Sequence, residues 1–125
     1  MKSRESIVRL KQFQVTEKRR QLLQLDTMIA EFERMAGELE AQIGNEERKS
    51  GITDVNHFAY PTFAKAARLR RDNLRNSQAE LTGQKNGAQA ALDLALGELE
   101  KAEALEMRDI KARDHDADAR RVMIG

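Results

Sequence analysis

A run of apolar residues at alternating steps of three and four constrains this chain more than any other feature of its sequence. Every position of the run between residues 22 and 43 is apolar: Leu22, Leu25, Ile29, Phe32, Ala36, Leu39 and Ile43. A spacing that averages 3.5 residues is typical of a coiled-coil seam, which is narrower than the apolar stripe of a helix in a globular core. The sequence therefore predicts a long helix that pairs with another helix along a narrow line.

A second repeat of the same kind lies in the other half of the chain. Its positions are mostly apolar: Leu74, Gln78, Leu81, Lys85, Ala88, Leu92, Ala95, Leu99 and Ala102. Three glycines interrupt this helix, and we interpret them as points of close approach or bending: Gly83, Gly87 and Gly97. The two repeats predict two paired helices.

The segment between the repeats carries signals for the end of one helix and the start of the next. Gly51 can take the left-handed conformation of a helix cap, Asp54 can cap a short turn, and Pro61 suits the first position of a helix. We predict one domain, 1–125, with a helix at 3–49, a connector at 50–60, a helix at 61–119 and a frayed tail at 120–125.

The order of charges predicts the relative direction of the helices. Residues 1–20 and 48–75 are strongly basic, whereas residues 21–47 and 76–105 are acidic. An antiparallel pair places acidic 35–45 opposite basic 65–75, while a parallel in-register pair of two chains stacks like charges. The predicted fold is therefore all-α, with two long helices forming an antiparallel coiled-coil hairpin.

The sequence contains few residues in arrangements that support catalysis. The chain has no cysteine, its two histidines (His57 and His115) lie far apart, and it has no glycine-rich phosphate loop. Residues 114–118 include three aspartates and a histidine but lack a defined ligand spacing. We expect no catalytic residue, no bound metal and no cofactor, and hence no enzyme.

The chain also lacks a run of about 20 apolar residues and a secretory signal, which predicts a cytoplasmic protein.

Two features suggest partner binding. Basic clusters at 18–20 and 68–71 suit a solvated face, an acidic protein groove, a membrane surface or nucleic acid, although the net charge of only +1 disfavours nucleic acid. Phe58, Tyr60 and Phe63 lie within six residues. Tyr60 falls on the seam and is expected to close the hairpin end, whereas Phe63 lies beside the seam and suits either local packing or a partner.

Residues 57–67, which read HFAYPTFAKAA, follow a glutamate-rich helix and the sequence GITD at 51–54. Together with residues 9–20 they resemble the alphaproteobacterial branch of the flagellar export protein FliJ family, and the likeness covers nearly the whole chain. The resemblance implies a stalk-like coiled coil of the flagellar type III export apparatus, cytoplasmic or peripheral on the inner face of the cell membrane at the flagellar base. It implies binding to the export ATPase ring, to the membrane export gate protein and to export chaperones.

The resemblance also assigns candidate contact residues. Export-gate positions of more distant family members map to Phe63, Ala67, Arg70 and Leu74. Phe63 keeps the aromatic type of the family, whereas Arg70 and Leu74 depart from the expected types. Contact with the ATPase ring is expected near the chain termini, at Arg4, Arg9 and Lys11 and in segment 106–121.

Two other classes of protein remain compatible with the sequence. One is a homodimeric coiled-coil scaffold, in which the seam pairs between two chains. The other is a protein whose basic face binds membrane or nucleic-acid surfaces. A folded monomer in light scattering distinguishes the hairpin from the first class. Binding that disappears at physiological salt argues against the second class, since purely electrostatic association is screened.

Overall fold

The computed structural model describes residues 2–124, and it describes the surroundings of side chains from residue 3 to residue 123. Two helices, α1 (Lys2–Ser50) and α2 (Thr62–Ile124), account for nearly all of these residues. They pack against each other in antiparallel directions and are joined by residues 51–61. The predicted fold class, an all-α antiparallel helical hairpin, is confirmed.

The connector covers residues 51–61, one residue later at each end than the predicted 50–60. Gly51 has a φ of 71°, and its N–H donates to the Glu47 carbonyl oxygen at 2.9 Å, which ends α1 with the predicted left-handed cap. The Asp54 carboxylate accepts the backbone N–H of Asn56 at 3.0 Å, as expected for a capped turn. The Pro61 carbonyl accepts the N–H of Lys65 at 3.0 Å. Pro61 therefore precedes the first helical residue instead of being it.

The end of α2 differs from the prediction. The helix was expected to stop at residue 119 and to fray over 120–125, but it continues to Ile124. No glycine or proline lies between residues 98 and 124, and Ala117, Ala119, Arg120 and Arg121 favour helix. The absence of large apolar residues, which suggested fraying, removes packing against α1 but does not remove the local preference for helix.

Contacts divide the chain into two units. The terminal unit consists of Met1–Leu22 with Ala88–Gly125, and the connector unit consists of Leu23–Gly87. Each unit contains one stretch of α1 packed against one stretch of α2. The prediction that residues 1–125 form a single domain stays a prediction.

The cores of both units are thin. In the terminal unit, Val15, Leu92 and Ala95 form the buried centre, with Leu22, Leu96 and Leu99 packed against it. In the connector unit the buried residues are Ala36, Ile43, Tyr60, Ala64, Ala67 and Leu81. All ten large seam residues named from the sequence are buried or half-buried: Leu22, Leu25, Ile29, Phe32, Leu39, Ile43, Leu74, Leu81, Leu92 and Leu99. The heptad spacing thus identified the faces that the helices bury against each other.

The helical glycines do not mark close approaches. A Cβ atom added to Gly83, Gly87 or Gly97 would meet no other atom within 4 Å, and none of the three has a positive φ. The interpretation of these glycines as points of close approach is therefore wrong. Gly83 and Gly87 are exposed and Gly97 is half-buried. At such helix positions glycine lowers stability because it gives the unfolded chain more conformational freedom.

Replacing Gly83 and Gly87 by alanine is expected to stabilise the protein. Each change adds a side chain in open space on a helix, and each should raise the free energy of unfolding by up to about 1 kcal/mol. Gly51→Ala is the matched control and should lower stability, because alanine is strained at a φ of 71°. Urea denaturation followed by circular dichroism measures all three. Lower stability of Gly83→Ala would show that this glycine has another role.

Candidate functional site

Three side chains bond to one another next to the connector. The Tyr60 hydroxyl donates to Glu47 Oε2 at 3.1 Å and accepts from Arg68 Nε at 2.8 Å, while Arg68 Nη2 donates to the same glutamate oxygen at 3.0 Å. The Tyr60 ring is only 7% exposed, which confirms its predicted place at the end of the hairpin seam. This group, the tyrosine clasp, ties α1, the connector and α2 together and so fixes the surface around it.

The clasp shifts the ionisation of its charged members. Hydrogen bonds from Arg68 and from the Tyr60 hydroxyl favour the carboxylate, so the pKa of Glu47 lies below its ordinary value of about 4.5. Bonds to Tyr60 and Glu47 raise the pKa of Arg68 for the matching reason. Both groups are therefore charged at neutral pH.

The lowered pKa of Glu47 predicts how acid affects the connector unit. Because the folded state lowers this pKa, ionised Glu47 stabilises folding above about pH 4.5, and the contribution disappears as the pH falls through the lower folded value. Wild type should be more stable than Glu47→Gln at pH 7, and the difference should shrink as the pH falls below about 4.5. Denaturation midpoints across this range measure the difference. A difference that stays constant with pH would contradict the prediction.

A row of ion pairs closes one side of the connector unit. Acidic residues lie at intervals of seven along α1, and each pairs with a basic residue of α2. We call Asp26, Glu33, Glu40 and Glu47 the acidic row; their partners are Lys85, Arg75, Arg71 and Arg68. Gln78, a polar seam position, also donates to Glu33 at 2.9 Å. The charge alignment predicted for an antiparallel hairpin is confirmed in this unit.

The opposite side of the connector unit is an open groove of about 460 Å³. Its apolar lining comes from both helices, and polar side chains form its rim: Met35, Leu39 and Leu74, with Glu38, Gln42, Arg70, Asn73 and Ser77. Met35 and Gln42 directly precede the buried residues Ala36 and Ile43. The acidic row lies on the other side of the seam, because Glu33 and Glu40 follow seam residues. Among residues 3–123, no ion pair of the connector unit crosses between the helices on the groove side.

The structure places three of the four candidate gate residues on this open side. Leu74 and Arg70 line the groove, and Phe63 lies two helical turns before Arg70 on the same face of α2, with 56% of its surface exposed. Ala67 is different, since it is only 3% exposed and packs in the seam. A partner cannot reach Ala67 while the helices are paired, so this residue belongs to the core and not to a binding surface.

The candidate ATPase-contact residues lie in the terminal unit, and each forms an ion pair within the chain. Arg4 pairs with Asp109 at 3.1 Å and Lys11 pairs with Glu98 at 2.9 Å, so both join α1 to α2. The side chain of Arg9 is 73% exposed and pairs with Glu5 on the same helix. Of the three, Arg9 offers the most accessible charge, while segment 106–121 adds further exposed charged residues.

Several surface residues were missed by reasoning from the sequence. Met35 and Gln42 belong to the groove, yet the heptad spacing of α1 singles out only the seam positions beside them. Pairing the two helices in antiparallel register would have brought Met35 opposite Leu74 and Ser77. Phe58 is 97% exposed, and the sequence predicts no specific role for it. Its exposure depends on the backbone path of the connector, which residue types alone do not give.

Other features of the described residues bear on what the chain can do. No group of three or more His, Cys, Asp or Glu side chains among residues 3–123 is arranged to hold a metal ion. Within the same part of the chain, neither helix has a stretch apolar and long enough to cross a lipid bilayer. Comparison with protein-family models, curated proteins and solved structures gave no match for this chain.

Proposed function

We propose that this chain is a non-enzymatic component of flagellar type III protein export, with the role implied by its resemblance to the FliJ family. In this role it links the export ATPase ring to the membrane export gate, and it escorts export chaperones. The proposal includes a cytoplasmic location, peripheral on the inner face of the cell membrane at the flagellar base.

The observation that best supports this proposal is the asymmetry of the connector unit. One side is closed by the acidic row and its partners, while the other side is open and carries Phe63, Arg70 and Leu74. Exposed aromatic and arginine side chains around a small apolar surface are typical of the residues that dominate protein interfaces. Phe63, Arg70 and Leu74 were assigned from the resemblance, and their presence on the open side is an independent reason to favour that surface, although the fourth candidate, Ala67, is buried.

Contact with the ATPase is proposed for the terminal unit. Its exposed charges include Arg9 and the residues of segment 106–121, where α2 carries side chains of both signs. Charged faces of this kind suit loose contact with the loops that line a ring, because solvated ion pairs contribute little individually and do not impose one orientation. The chain would then transmit the position of the ring to the gate, while ATP hydrolysis stays with the partner.

Mixing the purified chain with its cognate export ATPase is the first test. We expect a larger hexamer fraction in light scattering and faster ATP turnover by the ATPase, with no turnover by the chain alone. A variant in which Arg9 and Lys11 are replaced by alanine should stimulate less than wild type. An ATPase that neither assembles nor accelerates in the presence of the chain would argue strongly against the proposal.

Light scattering of the chain alone tests the homodimeric scaffold. The proposed function requires a folded monomer at micromolar concentration, because both seams are already used within one chain. A stable dimer whose helix content depends on protein concentration would favour the scaffold.

A further inference from the structure

The connector presents one aromatic ring almost entirely to solvent. Phe58 is 97% exposed, compared with 7% for Tyr60 two residues later. A phenyl ring this exposed contributes little packing to the fold beyond its contact with the neighbouring His57 ring, and large aromatic side chains gain much from burial in an interface. Phe58 is therefore a candidate anchor whose partner must come from another molecule.

The backbone on both sides of Phe58 is held by hydrogen bonds. Two successive turns share His57: its N–H donates to the Asp54 carbonyl at 3.1 Å, and its own carbonyl accepts the N–H of Tyr60 at 3.0 Å. Tyr60 is in turn fixed by the tyrosine clasp. The ring of Phe58 thus projects from a segment anchored at both ends, so less conformational freedom is lost when a partner binds it than for a loose loop.

His57 also helps to hold the Phe58 ring in its exposed position. Its ring stacks on Phe58, with centroids 4.8 Å apart, and its Nδ1 accepts the N–H of Ala59 at 3.0 Å. Because Nδ1 acts as an acceptor, the hydrogen of the neutral ring lies on Nε2. His57 is itself exposed, so this N–H is a donor beside the exposed phenyl ring.

We propose that Phe58 inserts into an apolar pocket of a protein partner, and that His57 Nε2 donates a hydrogen bond to an oxygen at the rim of that pocket. A protein is favoured over a lipid surface by the charges around the ring. Residues 46–65 contain three acidic and three basic side chains. The basic character of 48–75 comes largely from arginines further along α2, and three of these, Arg68, Arg71 and Arg75, are paired with the acidic row. Little unpaired positive charge beside Phe58 therefore draws this segment to anionic lipid. One phenyl ring without such attraction gives only weak membrane binding.

This inference rests on the proposed function, which supplies the partner: the part of the export gate protein that faces the cytoplasm, purified as a separate domain for the test. Phe58 then adds a contact beyond the open groove. The test measures binding of the full chain to that purified domain by calorimetry, using Phe58→Ala, Phe58→Leu and His57→Ala. Phe13→Ala is the control, because Phe13 is also exposed, at 61%, but lies in the terminal unit. Circular dichroism checks that every variant keeps the helix content of wild type.

We expect Phe58→Ala to weaken binding about 30-fold, as for an interface hot spot, and Phe58→Leu to weaken it less. His57→Ala should weaken binding about fivefold, while Phe13→Ala should bind as wild type does. Wild-type affinity for Phe58→Ala would overturn the inference and leave the proposed function standing. A wild-type chain that does not bind the gate domain would overturn both.

A vesicle-binding experiment distinguishes a lipid partner of Phe58 from a protein partner. Wild type is mixed with vesicles of phosphatidylethanolamine and phosphatidylglycerol at physiological salt, and co-sedimentation is measured. We expect no sedimentation that depends on Phe58. Vesicle binding that disappears in Phe58→Ala, with gate binding unchanged, would show that the ring contacts lipid and would overturn the inference.

Discussion

Replacing Tyr60 by alanine is expected to destabilise the connector unit by about 3 kcal/mol, the largest effect of any single change considered for this chain. Tyr60 is 7% exposed, so its removal leaves a cavity, and the nearest buried residues along α2, Ala64 and Ala67, are small. The change also removes the hydroxyl that bonds to both Glu47 and Arg68. A thin two-helix core has few other contacts to compensate.

Tyr60→Phe is the matched control, because it keeps the ring and removes only the hydroxyl. It should cost about 1 kcal/mol, since Glu47 and Arg68 remain bonded to each other at 3.0 Å. Hydrogen exchange of the backbone amides in residues 43–67 measures both effects locally, and urea denaturation measures them globally. Equal protection in the two variants would show that the ring does not hold the hairpin end together.

Replacing Phe63 by alanine is expected to weaken binding to the export gate about 30-fold and to impair motility, with little change in helix content. Phe63 is 56% exposed, so the folded chain loses little packing, whereas an interface anchored by an aromatic loses a large part of its affinity. Phe13→Ala serves again as the control, because a similarly exposed phenylalanine is removed from the terminal unit.

Two further variants, Arg70→Glu and Ala67→Gly, distinguish loss of gate binding from loss of stability. Arg70 lines the groove, so reversing its charge should weaken gate binding without unfolding the chain. Ala67 is buried, so its change to glycine should lower stability and should affect binding only through unfolding. If Phe63→Ala lost helix content instead of affinity, the aromatic would be a packing residue, and the surface assigned to the gate would be wrong.

The sequence predicted the fold well because the decisive signals were local and periodic. The heptad positions of α1, such as Ile29 and Ile43, identified the buried face, and the charge blocks identified the antiparallel direction. Gly51 and Asp54 identified the connector by their conformational preferences. The same reasoning failed at the end of α2, where a lack of apolar residues was interpreted as fraying although alanine and arginine sustain the helix.

The candidate site was only partly predictable, since it depends on how two distant segments come together. Phe63 stood out because it is an aromatic beside the seam. The place of Met35 in the groove was not predicted, because its exposure beside Leu74 follows from the register between α1 and α2. Ala67 illustrates the opposite error: an alignment to a family motif assigned it to a surface, whereas the heptad spacing places it on the buried face. The tyrosine clasp could not be predicted from the sequence, because it depends on how side chains from three separate segments are placed relative to one another.

The acidic row has a consequence for how this chain behaves among other coiled coils. Each of its carboxylates already has a basic partner on α2 of the same molecule, in an order that matches when α1 and α2 run antiparallel. A foreign heptad helix that competed for α1 would have to supply cations that reach these four carboxylates. It would also have to displace a partner held at high effective concentration by an eleven-residue connection. The charge order thus makes exchange of α2 for a foreign helix unfavourable.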